Sequence, residues 1–325
     1  MSLHASADEA AGLTRRHEKY ERLVSVTLSL PRLKVAVAHP CDGASLDAVM
    51  EAFEMGLIEP VLVGPRDKTL AAAKDLGRDI SALTIIDTPH SHASAQQAVD
   101  LVRTGKAEAV MKGSLHTDEL MAAVVRREGG LRTARRISHC FVMDIPTHET
   151  PLIITDAAIN IAPTLDEKVD IVQNAIDLGH ALRLDEVRVA ILSAIETVSS
   201  KVPSTIEAAA LCKMADRGQI TGGILDGPLA LDNAIDLGAA RIKNIKSPVA
   251  GQANVLVVPD LEAGNMLAKS LTFLADADAA GIVLGARVPV ILTSRADSKI
   301  TRLASCAIAS LVASTQRAKL ALPEV

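Results

Sequence analysis

The residues best suited to chemistry gather where apolar runs give way to helix-like segments. In open α/β proteins that is the sheet edge at which ligands bind. The sharpest case is Val288–Thr293, which delivers Ser294, Arg295, Ala296, Asp297 and Ser298 ahead of apolar positions at Ile300, Leu303, Ala307, Ile308 and Leu311. This order predicts a Ser, an Arg, an Asp and a second Ser on the first turn of a long helix. An arginine there grips phosphate bidentately while helix N–H groups take another oxygen. The carboxylate would then act as base or orienter, although an N-cap serine beside a surface arginine has the same composition.

Three further junctions share this character. Ala109–Met111 is followed by Lys112, Gly113 and Ser114, then by His116, Thr117 and Asp118 opening a helix expected to run through Arg127. A lysine and a glycine at a helix start suit an anion, and a solvated lysine beside a turn glycine reads equally well. The GxxxxGK[ST] spacing of a Walker loop is absent. Thr155 and Asp156 lead through Asn160 to Pro163; the aspartate fits a ribose or amide acceptor, a hydrogen-bonded hinge or a cap. Pro259 to Asn265 brings Asp260 and Glu262 to a helix start, either as acid and base or as ordinary partners of the helix dipole.

Other patterns carry less. His90 and His92 lack a third ligand at metal spacing, and His39-Pro40-Cys41-Asp42 offers adjacency without the spatial contact a Cys–His dyad needs. There is no GxGxxG and no GxSxG, so nothing points to a Rossmann nucleotide site or a nucleophile elbow. Cys41, Cys140, Cys212 and Cys306 are widely spaced, the usage of a reducing compartment.

These junctions need strands to present them. Lys34–Ala38, Pro60–Val63, Leu83–Ile86, Ala109–Met111, Leu152–Thr155, Val187–Leu192, Gly223–Leu225, Val255–Val258, Gly281–Leu284 and Val288–Thr293 are short apolar runs, suited to buried strands of a largely parallel sheet. Helix-period segments lie between many of them. Asp166–Leu182 follows a Thr164-x-x-Glu167 capping box, and Ser204-x-x-Glu207 behind Pro203 forms a second such pattern. A helix is also expected ahead of Pro31. The alternation defines an α/β architecture. With 325 residues the chain has room for about two domains. The polar turn Pro146–Pro151 marks one crossing and Ala286–Pro289 another, which assigns residues 1–146 and 287–325 to a first domain and 147–286 to a second.

Composition narrows the partners. Three Phe, one Tyr and no Trp, 1 % of the chain, leave an aliphatic core and no stacking platform for bases. A net charge of −5 without basic clusters argues against binding a phosphate backbone, so nucleic acid is excluded as a partner. No apolar run reaches membrane-spanning length, and the N-terminus is acidic, so neither membrane insertion nor secretion is expected and the cytoplasm is the expected compartment.

Several blocks, in order, carry a resemblance: Met111–Leu120, Gly130–Pro146, Thr155–Ile176, Asp226–Ile235, Val255–Leu271 and Val288–Ser298. Over roughly residues 33–315 the chain resembles the phosphate acetyltransferase and phosphate butyryltransferase family. The resemblance implies two three-layer α/β domains with a cleft between them, like the isocitrate and isopropylmalate dehydrogenases, and a homodimer. It implies the reaction acyl-CoA + phosphate = acyl phosphate + CoA, with coenzyme A and phosphate as substrates and no bound metal or redox cofactor. Ser294 and Arg295 match the family's Ser-Arg pair, which contacts thiol or carbonyl and phosphate respectively. The acetyl branch places a proposed Asp base seven residues after that Ser, where this chain has Thr301, so Asp297 is taken as the substitute. A phosphate-binding Arg of that branch falls at Met121, with Lys112 or Arg132 to compensate. The expected catalytic set is thus Ser294, Arg295 and Asp297; the substrate-binding set is Lys112, Gly113, Arg132, Asp156, Asn160, Asp260, Asn265 and Ser298. Two other readings compete: a metal-dependent dehydrogenase on the same scaffold, using Asp156, Asp226 and Asp260, and a non-catalytic binder of coenzyme A or acyl phosphate.

Overall fold

The computed structural model describes residues 18–292 and 297–321, the last three without their side chains. The chain forms two compact units, one of Arg22–Arg135 with Ala280–Val325 and one of Met1–Glu21 with Arg136–Ala279. In the first unit, β1 (Leu33–Ala38), β2 (Ile58–Gly64), β3 (Thr84–Asp87), β4 (Ala109–Lys112), β10 (Asp278–Leu284) and β11 (Val290–Ile291) lie in the order β3-β2-β1-β4-β11-β10. All neighbours are parallel except β10 and β11, which pair antiparallel through Val283 and Val290. The second unit orders β5 (Ser138–Asp144), β6 (Leu152–Thr155), β7 (Arg188–Leu192), β8 (Ile224–Leu229) and β9 (Val255–Val257) as β5-β6-β9-β7-β8. Here β5 and β6 form the antiparallel pair. The architecture is α/β with a mixed sheet.

Runs such as Leu33–Ala38 are buried at nearly every position, because helices cover both faces of a parallel sheet and leave no polar side. The core is aliphatic. Val35, Val37, Leu62, Val110, Met111, Ile153, Val189 and Leu256 are essentially sealed, whereas Phe53 and Phe141 are only partly buried and Phe273 is exposed. No described helix is long and apolar enough to cross a membrane.

Several local expectations need correction. Pro146–Pro151 is the turn of the β5–β6 hairpin, with His148 N–H bonded to the Ile145 carbonyl, so it lies inside one unit and not at a crossing. The units divide near residues 135 and 279 instead of 146 and 286. The helix after Lys112 spans Thr117–Val124 and stops short of Arg127. The chain then turns so tightly that a Cβ on Gly130 would collide with the Arg126 carbonyl oxygen. The C-terminal helix begins at Lys299, so Asp297 and Ser298 precede its first turn.

The two capping-box patterns diverge. Thr164 and Glu167 satisfy one another's backbone N–H groups at the start of the 165–181 helix. At the 203–216 helix Val202 occupies the N-cap position with Pro203 behind it. Ser204 bonds Ser193, and Glu207 is taken by the buried ammonium of Lys168, which needs a countercharge once it leaves water. Thr164→Ala is expected to cost about 1 kcal/mol, read as a shift in denaturation midpoint. The Glu167 carboxyl is held below the usual carboxylate range by the Thr164 N–H, and secondarily by Arg136. A depressed folded-state pKa stabilises above the unfolded value of about 4.3 and stops doing so as pH falls through the folded value. The stabilisation from Glu167 should therefore fade in acid, and Glu167→Ala, which removes the carboxylate where Thr164→Ala would leave the backbone N–H in place, should cost less in acid than at neutral pH.

Candidate active site

Strands β1, β4 and β11 lie side by side and parallel, with Ala38 paired to Lys112 and Met111 to Ile291. The carboxyl ends of all three strands therefore lie at one sheet edge, where His39–Asp42 and Gly113–His116 follow β1 and β4. Lys112, only 7 % exposed, turns its ammonium back onto the carbonyls of Gly113 and Leu115, each at 3.2 Å. Gly113 N–H bonds the Ala38 carbonyl at 2.8 Å, and the Ser114 N–H and hydroxyl both donate to the His39 carbonyl. A Cβ on Gly113 would sit 2.5 Å from the carbonyl oxygens of Ala38 and His39, so only glycine allows this approach. The result is a buried cation at the carboxyl edge that two backbone carbonyls help to hold.

Ser298 accepts the Thr301 N–H at 3.1 Å and caps the C-terminal helix, with Asp297 half-buried just before it. Ser294 and Arg295 lie outside the described residues. Arg132 is exposed, but its backbone bridges to Ala286 while Leu131 and Thr133 bond Arg287 and Gly285, so the arginine projects from an anchored segment. Burial pushes the Cys41 thiol up, the reverse of an activated nucleophile. His90 caps the 91–103 helix, and His92, in the first turn of that helix, faces Glu119.

In the second unit the carboxyl end of β6 has a different character. Asp156 is 3 % exposed, and its carboxylate accepts from the N–H groups of His139, Ala158, Ile159 and Asn160 and from the Asn160 amide. Asn160 in turn donates to the Ile137 carbonyl and accepts from Arg136 Nε at 2.7 Å. The oxygens of Asp156 and the amide of Asn160 are thus engaged within the protein. Asp260 caps the 261–274 helix by accepting the Ala263 N–H, and Asn265 ties that helix to the Ala157 carbonyl. Among the described residues no group of three or more His, Cys, Asp or Glu side chains is placed to hold a metal ion. Asp156 in particular has spent its oxygens on N–H donors.

One residue that sequence reasoning passed over stands out. His139, at the start of β5, is 3 % exposed, meets the Phe141 ring edge-on at 4.4 Å, and leaves Nδ1 sealed without a hydrogen-bond partner. Burial carries its pKa down to about 4 against the pull of the Asp156 charge. The only signal in the sequence was the polar pair Ser138-His139 opening an otherwise apolar stretch.

Residues 90–310 match the sequence profile of the family described as phosphate acetyl/butaryl transferase. A phosphate acetyltransferase of Rhizobium meliloti is 64 % identical over 300 residues, covering 92 % of this chain and 95 % of that one. A phosphate butyryltransferase of Clostridium acetobutylicum is 40 % identical, covering 91 % and 98 %. The crystal structure of a branched-chain phosphotransacylase from Enterococcus faecalis V583 superposes with a TM-score of 0.77 at 30 % identity, covering 86 % of this chain and 99 % of that one.

Proposed function

The chain belongs to the phosphate acetyl/butaryl transferase family, and on that premise we propose that it transfers a short acyl group, acetyl by preference, between coenzyme A and inorganic phosphate. In the acyl-phosphate-consuming direction the CoA sulfur forms a bond to the acyl carbon, the carbon–oxygen bond to phosphate breaks, and the thiol proton passes to a base. A thiol of pKa about 8.5 needs a carboxylate to assist that transfer. Asp297, half-buried ahead of the C-terminal helix, is the group nearest in sequence to the Ser294-Arg295 pair. Arg295 takes the phosphate oxygens bidentately, Ser294 addresses the thiol or carbonyl, and Lys112 and Arg132 add positive charge for the phosphate as it leaves.

The reaction is carried by likeness along nearly the entire chain to an acetyltransferase. The site is supported by the Lys112 ammonium, which two backbone carbonyls help to hold, at the edge where β11 also ends. A fixed cation needs no reorganisation as charge develops on the leaving group. Coenzyme A and phosphate are substrates, and no bound cofactor takes part. The four cysteines are free, in keeping with a reducing cytoplasm. Exposed Ile161, Met266, Phe273 and Leu274, on or beside the 261–274 helix, favour pairing of two copies, which sedimentation equilibrium reads directly.

The test is phosphate-dependent thiol release from acetyl-, propionyl-, butyryl- and isobutyryl-CoA. Release that is fastest with acetyl-CoA and indifferent to EDTA or NAD is expected. No release with any of the four overturns the assignment, and binding of coenzyme A without turnover would leave a non-catalytic binder.

A further inference from the structure

Two histidine-bearing stretches of the sequence, His39–Asp42 and His90–His92, meet at the open end of the first unit's sheet. Along the order β3-β2-β1-β4 the chain runs outward from β1 to β3, then crosses back to lay β4 on the other side of β1. β1 and β4 therefore flank a topological switch point, where ligands of open α/β sheets bind beyond the carboxyl ends. His39 is the first residue after β1. Ala38 pairs with Lys112, so the histidine leaves the sheet beside the Lys112-Gly113-Ser114 turn.

The backbone there is held against its preference. His39 has φ +58°, a left-handed conformation that glycine adopts without strain. It is pinned from both sides: its N–H donates to the Val63 carbonyl, and its carbonyl accepts the Ser114 N–H, the Ser114 hydroxyl and the Cys41 N–H. All of these are main-chain bonds of residue 39, and a glycine would keep every one. The turn does not need the imidazole, and strained residues of this kind concentrate where function requires them.

The ring itself is oriented. Its Nδ1 lies 3.1 Å from the hydroxyl of Ser94, in the first turn of the 91–103 helix. That hydroxyl has one proton, which goes to the His90 carbonyl 3.0 Å away, a group that can only accept. Thr88, 2.8 Å from the same oxygen, donates to it, and so does Nδ1–H. The lone pair therefore falls on Nε2. That nitrogen takes no hydrogen bond and is not sealed, and on this partly exposed residue it is the one open to solvent.

The surroundings suit a proton acceptor. Burial, then Lys68 and lastly His90 lower the ring's pKa, against the pull of Glu119 and Asp42, so the ring is neutral at physiological pH. Glu119, one of whose carboxylate oxygens is sealed without a partner, and Asp42 supply negative charge for the imidazolium that forms.

Acyl transfer needs such a group on its phosphate side. When hydrogen phosphate attacks a thioester, its oxygen bonds the acyl carbon, the carbon–sulfur bond breaks, and the phosphate O–H proton passes to a base. In reverse, phosphate leaving an acyl phosphate without a proton departs as a trianion, a strongly basic leaving group. Asp297 serves the thiol proton, and the phosphate proton needs an acceptor of its own. We propose that His39 is a catalytic residue whose Nε2 takes the hydroxyl proton of hydrogen phosphate as the phosphate oxygen attacks, and returns it when phosphate leaves. The proposal rests on the acyltransferase reading and deepens its phosphate half, beside Lys112.

The experiment measures phosphate-dependent thiol release from acetyl-CoA by wild type, His39→Asn and His39→Gly between about pH 5 and 9, with melting temperatures alongside. Asparagine tolerates the left-handed backbone and cannot carry the proton. Glycine removes the ring and the strain together. In His39→Asn kcat falls about 10²- to 10⁴-fold, while KM for acetyl-CoA stays within about threefold. Wild-type kcat falls as pH drops below the ordinary histidine range, where the ring protonates, and this limb is absent from both variants. Added imidazole raises the rate of His39→Gly about tenfold or more and leaves wild type unchanged. A His39→Asn enzyme with kcat within about threefold of wild type overturns the proposal, as does a His39→Gly protein, folded or not, that imidazole does not rescue. A wild type that releases no thiol overturns the acyltransferase reading and this proposal with it, whereas an active wild type beside equally active variants overturns the proposal alone.

Discussion

Asp156→Ala is expected to destabilise the 136–279 unit by about 3–5 kcal/mol, the largest stability effect of any substitution at the candidate positions. The side chain is sealed and accepts five hydrogen bonds from the start of β5 and the turn after β6. Removing it leaves the N–H groups of His139, Ala158, Ile159 and Asn160 without acceptors in a space water does not readily enter. Each abandoned donor costs on the order of 1–3 kcal/mol, moderated by relaxation of the turn. Asp156→Asn keeps the shape but turns an amide N–H₂ toward donors, so it is expected to recover less than half of the loss. Urea denaturation followed by circular dichroism reads the change as a fall in midpoint at constant slope. A cost below about 1 kcal/mol would show that the donors find other partners. Asp232→Ala, at an exposed carboxylate paired with Lys243, supplies the comparison and is expected to shift the midpoint by no more than about 0.5 kcal/mol.

Asp156 also shows where sequence reasoning reaches its limit. An aspartate after a buried strand fits an acceptor for ligand, a hinge or a cap, and nothing local separates them, because the deciding donors come from His139 and Asn160 on either side of a hairpin. The strands that were legible owe this to β-branched runs buried on both faces. β5 was not, since Ser138 and His139 break the apolar pattern, and what makes Ser138 burial tolerable is a hydrogen bond from Asn174, 36 residues away. The two S/T-x-x-E patterns make the same point. Thr164 and Glu167 have no stronger competitor and form the box, whereas Pro203 shifts the helix start and buried Lys168 claims Glu207. The Lys112-Gly113 junction was visible as residue types. Its defining property, a glycine wedged against two carbonyls of the neighbouring strand's end, depends on β1 and β4 lying side by side, and that pairing is a non-local fact.

Lys112→Met is expected to lower kcat/KM for phosphate by about 10²- to 10³-fold, the range seen when one preorganised electrostatic donor is removed from an acyl-transfer site. Methionine matches the length and flexibility of the lysine stem, so what is lost is the charge and its hydrogen bonds. Gly113 and Leu115 hold the ammonium in place through their carbonyls, and Gly113 is itself held by β1. The cation therefore does not move toward solvent as a surface lysine would, and its field is undiluted by water at 7 % exposure. Freeing the two carbonyls should cost on the order of 1–3 kcal/mol of stability, less than Asp156→Ala, which leaves the variant folded for assay. Lys112→Arg should not restore activity. A planar guanidinium spreads its donors in a fixed fork and does not fit where a compact ammonium meets two carbonyls at 3.2 Å. The informative measurement is initial rate against phosphate at saturating acetyl-CoA, and the reverse at saturating phosphate. A larger loss on the phosphate axis identifies the ammonium with the phosphate half of the reaction. A Lys112→Met enzyme that melts normally and keeps its phosphate constants within threefold would return Lys112 to a purely architectural part in closing the β4 junction.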